Sequence, residues 1–125
     1  MLRSATTRDA SAIAAIYAPF VQAGTRSFES VAPDAAEMAR RLERTLKTHP
    51  WIVAEDDAGE IMGYAYATGF RGRDAYRFTA ETSVYVRPGS QGCGVGSGLA
   101  LALLEALRIS GYRTAIAVIT LPNDP

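Results

Sequence analysis

A run of eight residues, Gln91-Gly92-Cys93-Gly94-Val95-Gly96-Ser97-Gly98, constrains this chain more than any other feature. It follows a segment that alternates as a strand, residues 78–86. It precedes a long apolar segment, about 96–110, that reads as a helix stopped by Gly111. Glycines let the backbone adopt positive φ and approach a ligand closely. Free N–H groups then converge at a helix N-terminus, where the dipole favours an anion, and a diphosphate is the natural guest. The P-loop pattern fails because no lysine follows. The dinucleotide pattern Gly-x-Gly-x-x-Gly fails because its last position falls on Ser97 or on Leu99. A flexible turn at a glycine-rich helix start is the plain alternative.

Around this turn the chain reads as β-α-α-β-β-β-α-β, a mixed α/β pattern, and its 125 residues suit a single domain. Residues 3–5 form a short first strand. Thr7 or Asp9 caps the next helix, whose apolar stripe is Ile13, Ile16, Tyr17, Phe20 and Val21. Pro19 lies within that stripe and is expected to bend or shorten the helix. Pro33 opens a second helix in the first-turn position, with Asp34 and Glu37 near its start and Lys47 near its end. Met38, Leu42 and Leu46 share one face. Strands at 51–55 and 61–70 join through the turn Asp57-Ala58-Gly59, and 71–75 is a polar loop. In the strand 78–86, Thr79, Glu81, Ser83 and Tyr85 face one side, and Phe78, Ala80, Thr82, Val84 and Val86 the other. The helix after the turn is apolar nearly all round, so burial on most faces is expected. Residues 113–119 form the last strand.

Thirteen basic residues balance thirteen acidic ones, so no global field attracts nucleic acid or an anionic membrane. The lone Cys93 excludes an internal disulfide and a cysteine zinc cluster, and the lone His49 excludes a histidine-rich metal site; no metal is expected. The start has no apolar run, and the stretch 99–107 is broken by Glu105 and too short for a bilayer. A cytoplasmic protein without a membrane partner is the expectation.

The segment Gln91-Gly92-Cys93-Gly94-Val95-Gly96 resembles the Gln/Arg-x-x-Gly-x-Gly/Ala motif of the GNAT N-acetyltransferases. Residues 79–86, Thr-Ala-Glu-Thr-Ser-Val-Tyr-Val, and 117–125, Ala-Val-Ile-Thr-Leu-Pro-Asn-Asp-Pro, narrow the likeness to the phosphinothricin acetyltransferase group. Pro50-Trp51-Ile52-Val53-Ala54-Glu55 and Arg73-Asp74-Ala75-Tyr76 fit as well. The resemblance implies a GNAT-like mixed, largely antiparallel sheet flanked by helices. It implies acetyl-CoA as co-substrate, with its pyrophosphate on the amides of Gly92, Cys93, Gly94, Val95, Gly96 and Ser97. Further cofactor contacts are implied at Val84, Tyr85, Val86, Gln91 and Asn123.

Amine acetylation needs a deprotonated amine beside a thioester carbonyl, so a group must take the ammonium proton, directly or through water. Glu81, on the strand leading into the turn, matches the glutamate the group uses as general base; a solvated strand carboxylate is the plain reading. Arg71 and Arg73, with Tyr76 close by, resemble the group's anion-binding loop, and arginine pairs with carboxylate or phosphinate oxygens bidentately. An exposed basic loop is the alternative. Phe28 and Tyr66 line the substrate pocket or serve as core aromatics. Cys93 reads as a spacer, and His49, before Pro50, as a capping or surface residue. The implied substrate is a small amino acid-like amine, phosphinothricin- or methionine sulfoximine-like.

Family members continue beyond the position matching Pro125 with a helix and further strands. The resemblance therefore implies a fold lacking the C-terminal helix and last strands, with an apolar edge left at residues 113–119. Pairing with a second copy is one outcome of such an edge. A non-catalytic acyl-CoA-binding remnant or interaction domain is the alternative to an active enzyme.

Overall fold

The computed structural model describes residues 1–23, 31–69, 79–90, 92, 94–111 and 114–119. Its elements run in the order β1 (Leu2–Ser4), a 3-10 turn (Thr7–Asp9), α1 (Ala10–Ala23), α2 (Ala35–Leu46), β2 (Trp51–Glu55), β3 (Ile61–Gly69), β4 (Thr79–Val86), α3 (Val95–Ile109) and β5 (Thr114–Ile119). The five strands form one sheet in chain order. β1 to β4 pair antiparallel, and β5 lies parallel to β4 at the edge. A parallel pair needs a crossover, and α3 supplies it.

Period-two alternation divides the sheet between two cores. Val53, Tyr64 and Tyr85 face α1 and α2, where they meet Ile13, Ile16, Met38 and Leu42. Ile52, Ala65, Ala67, Ala80, Val84 and Val86 face α3, where they meet Leu99, Leu103 and Leu107. From Ala80 to Val86 the alternation expected for β4 is thus the observed one, and Phe78 lies outside the described residues. The small residues on the α3 side bring that helix close: a side chain at Gly63 would place its Cβ 3.1 Å from Leu99 Cδ1 and 2.8 Å from the Tyr85 carbonyl oxygen.

Several local expectations need correction. Of the two outcomes expected at Pro19, termination there is not observed: the proline lies inside α1, which continues to Ala23. Phe20 and Val21, just past the proline, are buried. Burying each yields about 1.5–3 kcal/mol, enough to offset the roughly 3 kcal/mol that an interior proline costs. Neither Thr7 nor Asp9 is the first cap. Thr6 holds that position, and its N–H donates to the Asp9 carboxylate at 2.8 Å. Pro33 lies ahead of α2 and not in its first turn. Asp34 is the N-cap, with extended backbone, and its side chain accepts from the Glu37 N–H at 2.8 Å. A carboxylate can satisfy an orphan helix amide, whereas proline only omits one. Leu46, on the stripe with buried Met38 and Leu42, is exposed at the helix end.

The expectation that α3 is buried on most faces does not hold. Leu101 is 69% and Ile109 73% exposed, and Leu104 is exposed as well. A helix lying on one sheet face buries one stripe, here Leu99, Leu103 and Leu107. Its end is as expected: Ser110 caps it, and Gly111 follows with φ 97°.

β1 is anchored to the helical layer by charge. Arg3 donates to Asp9 Oδ1 at 2.8 Å and to Glu55 Oε1 at 2.9 Å. The Arg3 guanidinium, opposed by burial and helped by the Thr6 N–H, holds the Asp9 carboxyl below the usual carboxylate range.

Candidate functional site

The glycine-rich turn begins where β4 leaves the sheet. The Arg87 N–H donates to the Met62 carbonyl at 2.8 Å, which still ties this point to β3. The Ser90 N–H then closes a turn on the Arg87 carbonyl at 2.9 Å. Gly89, Gly92 and Gly94 have φ of 94°, 82° and 79°, the left-handed region that glycine adopts without strain. Gly94 is the N-cap of α3, and no side chain caps the helix there. The Gly98 N–H is bonded to the Gly94 carbonyl at 3.0 Å. The amides of Val95, Gly96 and Ser97 precede it and have no carbonyl within the helix to bond. Among the described residues a Cβ at Gly92 or Gly94 would meet nothing within 4 Å. The glycines therefore serve backbone conformation, and the space beside them is open to a ligand. An anionic group placed there meets several N–H donors and the positive end of a 15-residue helix.

The strand ahead of the turn offers a second feature. β5 pairs with β4 from Thr79↔Thr114 to Val84↔Ile119. Tyr85 and Val86 run past the last described β5 residue. The Arg87 N–H points to β3, so alternation turns the Val86 N–H and C=O toward the β5 side. That main-chain edge can pair with an amide-bearing ligand lying between the strands. The side chains of Val84 and Val86 are buried against α3. That of Tyr85 is buried against α1, edge-on to Tyr17 and Phe20 with ring centroids 5.3 and 5.1 Å away. Any ligand contact from these three residues is thus through the backbone.

Glu81 is half-buried on the α1/α2 side of the sheet, opposite Thr68 on β3 and Ile116 on β5. Tyr66 lies on the same side, opposite Ser83, one same-face step along the strands from the Thr68–Glu81 pair. The sheet register therefore brings Glu81 and Tyr66 together. Tyr66 stacks on Trp51 with centroids 4.3 Å apart, and Trp51 stacks on Tyr64 at 5.7 Å. Burial, reinforced by the neighbouring tyrosines, raises the Tyr64 phenol well above its ordinary range. Gln91, Cys93, Asn123, Phe28, Arg71, Arg73 and Tyr76 lie outside the described residues.

On the same side of the sheet, reaching as far as Thr68 opposite Glu81, the structure shows a cavity of about 320 Å³ between α2 and the sheet. Tyr17, Arg41, Arg44, Trp51, Tyr66 and Thr68 are among the residues around it. Of these, sequence reasoning singled out only Tyr66 as a site residue. Arg41 and Arg44, three apart on α2, carry a helical-spacing signal, but nothing in the sequence says that this face looks onto β3. His49, near the start of β2, is half-buried, and burial holds its imidazole below the usual value. Among the described residues no group of three or more His, Cys, Asp or Glu could hold a metal ion. No described helix is long and apolar enough to cross a membrane.

Comparison with known proteins agrees with this architecture. A model of the acetyltransferase (GNAT) family matches residues 15–125. Phosphinothricin N-acetyltransferase of Alcaligenes faecalis is 49% identical over 110 residues, which cover 87% of this chain and 55% of that protein. Its namesake from Streptomyces viridochromogenes is 37% identical over 99% of this chain and 67% of that protein. An L-methionine sulfoximine/L-methionine sulfone acetyltransferase of Pseudomonas aeruginosa is 35% identical, covering 98% and 72%. Among solved structures, a phosphinothricin acetyltransferase of Sinorhizobium meliloti in complex with acetyl-CoA superposes with a TM-score of 0.89 at 40% identity, covering 95% of this chain and 65% of that one. The chain thus spans between about half and three quarters of the length of these relatives. By the family model, the sheet order and the strand-turn-helix at residues 79–109 together, it belongs to the GNAT family of acetyltransferases, related to the phosphinothricin and methionine sulfoximine enzymes.

Proposed function

We propose that this protein moves the acetyl group of acetyl-CoA to the amine of a small amino acid-like substrate of the phosphinothricin or methionine sulfoximine type. The observation that carries the reading is the start of α3, without a side-chain cap, behind the positive-φ glycines Gly92 and Gly94, at the end of a strand whose residues Tyr85 and Val86 have no β5 partner among the described residues. The pyrophosphate would lie on the amides of residues 92–97, and the pantetheine arm would run back along β4, pairing with the backbone at Val84, Tyr85 and Val86. Glu81 lies five residues before Val86, about 17 Å along a strand at roughly 3.3 Å per residue. That separation puts the carboxylate toward the thioester end of the arm, away from the phosphates.

Glu81 is the general base in this reading. It takes the ammonium proton, directly or through water. The freed amine nitrogen attacks the thioester carbonyl carbon, and the C–S bond breaks as the tetrahedral intermediate collapses. The amine's remaining excess proton leaves with the thiolate, so the products are the amide and free CoA. Arg71, Arg73 and Tyr76 would hold the substrate carboxylate or phosphinate, with Phe28 and Tyr66 along the pocket and Asn123 on the cofactor. A non-catalytic acyl-CoA-binding domain shares the loop but predicts no amine-dependent thiol release.

Calorimetry with acetyl-CoA tests the site. Valine at Gly94 puts a branched side chain into the space beside the turn and disfavours the left-handed φ of 79° that aims the amides, so a folded Gly94→Val protein should bind acetyl-CoA about tenfold more weakly than wild type. Equal affinity in the two proteins would count against the site.

A further inference from the structure

We infer that the cavity between α2 and strands β2 and β3 receives the oxygen-bearing end of the amine substrate, and that Arg44 and the Trp51 indole N–H select for it. The inference rests on the proposed function and adds to it the part of the protein that reads the substrate's far end.

Trp51 is only 3% exposed, and its Nε1–H has no acceptor among the described residues. The indole N–H can only donate. Left unmade inside a protein, such a bond costs on the order of 1–3 kcal/mol, so native structures rarely keep one without a use. This donor belongs to a residue in the cavity wall. The charges of the described residues around the cavity match that donor. Glu37, the one carboxylate among the described wall residues, is already shared between Arg40 at 2.9 Å and Arg41 at 3.1 Å. Arg44, also in the wall, has no carboxylate partner among the described residues. Among the described residues, a guanidinium without a carboxylate partner therefore shares the cavity wall with a buried donor that has no acceptor.

The remaining walls are mainly aromatic. Tyr64, Tyr66 and Trp51 form one stack, an apolar wall against which a polar contact is stronger than in bulk water. An occupant must be small, carry oxygen acceptors for Arg44 and Trp51, and offer an apolar stem to the rings. A phosphinate, sulfone or sulfoximine end meets those terms and a plain thioether does not; the substrate carboxylate is then the group left to Arg71, Arg73 and Tyr76.

The cavity also lies at the right distance from the chemistry. Thr68 is in its wall and stands opposite Glu81. Trp51 stands opposite Tyr66, two strands and two residues away from Glu81, about 12 Å between Cα atoms from strand spacing and rise. Both side chains point to the same face, so an extended amino acid of methionine length can reach from the Glu81 carboxylate into the cavity.

Trp51 is the only tryptophan of the chain, so its emission reports the cavity directly. The full chain with saturating CoA is titrated with methionine sulfone, phosphinothricin and methionine. Saturable emission changes are expected for the first two, at concentrations at least tenfold below any response to methionine. Arg44→Ala should weaken the first two by about tenfold or more and leave methionine unaffected, and Arg44→Lys should recover part of the loss. Arg40→Ala, at an exposed arginine outside the cavity wall, should behave as wild type. Trp51→Phe, followed by calorimetry, should lose affinity for the sulfone while keeping affinity for CoA. An unchanged preference in Arg44→Ala, or no saturable response to either oxygen-bearing probe, overturns the inference. Amine-dependent thiol release from acetyl-CoA is measured on the same samples. Release that persists with no effect of Arg44 removes the cavity's role alone. Sulfone binding that depends on Arg44, without release, supports the cavity's role and removes the transferase reading alone.

Discussion

Gly63 offers a sharp test of how α3 is seated. Its would-be Cβ lies 2.8 Å from the Tyr85 carbonyl oxygen, 3.1 Å from Leu99 Cδ1 and 3.4 Å from Val86 Cα. The Leu99 methyl can rotate away and the Val86 contact is ordinary, but the Tyr85 oxygen is backbone in a paired strand and cannot yield without moving β4. Overpacking of this kind costs about 1–3 kcal/mol. Alanine returns about 0.5–1 kcal/mol by restricting the unfolded chain. The backbone clash puts the cost in the upper half of its range, which leaves a net loss of about 1–2.5 kcal/mol. With an unfolding entropy near 2.1 cal/mol/K per residue, a chain of this size should lose about 4–9 °C in Tm. Gly98 gives the opposite sign. It precedes Leu99 in α3, and a Cβ there meets nothing within 4 Å, so Gly98→Ala should gain about 0.5–1 kcal/mol and raise Tm by about 2–4 °C. Thermal unfolding followed by circular dichroism reads both. An unchanged or raised Tm in Gly63→Ala would refute the packing argument.

Two further substitutions probe the caps and charges that hold the helical layer. Asp34→Ala removes the α2 N-cap and should lower stability by about 1 kcal/mol in denaturant titrations without changing the m-value. Asp9 has a folded pKa below its unfolded one, so as pH falls the unfolded state takes up the proton first. Its stabilisation is complete above the ordinary aspartate value near 3.9 and is lost as pH falls through the folded value. Wild type should therefore exceed Asp9→Asn in stability at pH 7 and lose that lead below about pH 4; a lead that stays constant into acid would contradict the linkage.

The order of elements was legible because each carries a local signal. Period two in β4 placed Glu81 and Tyr85 on one face and Val84 and Val86 on the other. The left-handed requirement at Gly111 marked the end of α3. Misreadings arose where tertiary burial outweighed local preference, as at Pro19, or where two neighbouring residues competed for one role, as Pro33 and Asp34 did. The exposure of Leu101 and Ile109 was invisible for a related reason: composition shows that a helix is apolar, not how many neighbours it has. The glycine turn was readable as a candidate anion site because its chemistry is backbone chemistry. The cavity at Thr68 was not, since it depends on the sheet register and on α2 turning Arg44 toward β3. The Trp51 indole, without an acceptor among the described residues, is buried only once the sheet and α2 have closed around it.

The central claim is that Glu81 draws the proton from an amine that then takes the acetyl group. It is tested most directly by amine-dependent thiol release from acetyl-CoA as a function of pH, with mass detection of the acetylated amine, in wild type and Glu81→Gln. A positioned general base is worth about 10²–10⁴-fold in rate. The account predicts that release and acetylated product appear in equal amounts. It also predicts that the rate falls by that factor in Glu81→Gln, most steeply at low pH where the amine is protonated, with acetyl-CoA affinity unchanged. Equal rates for the two proteins across the pH range, or thiol release that does not depend on the amine, would contradict it.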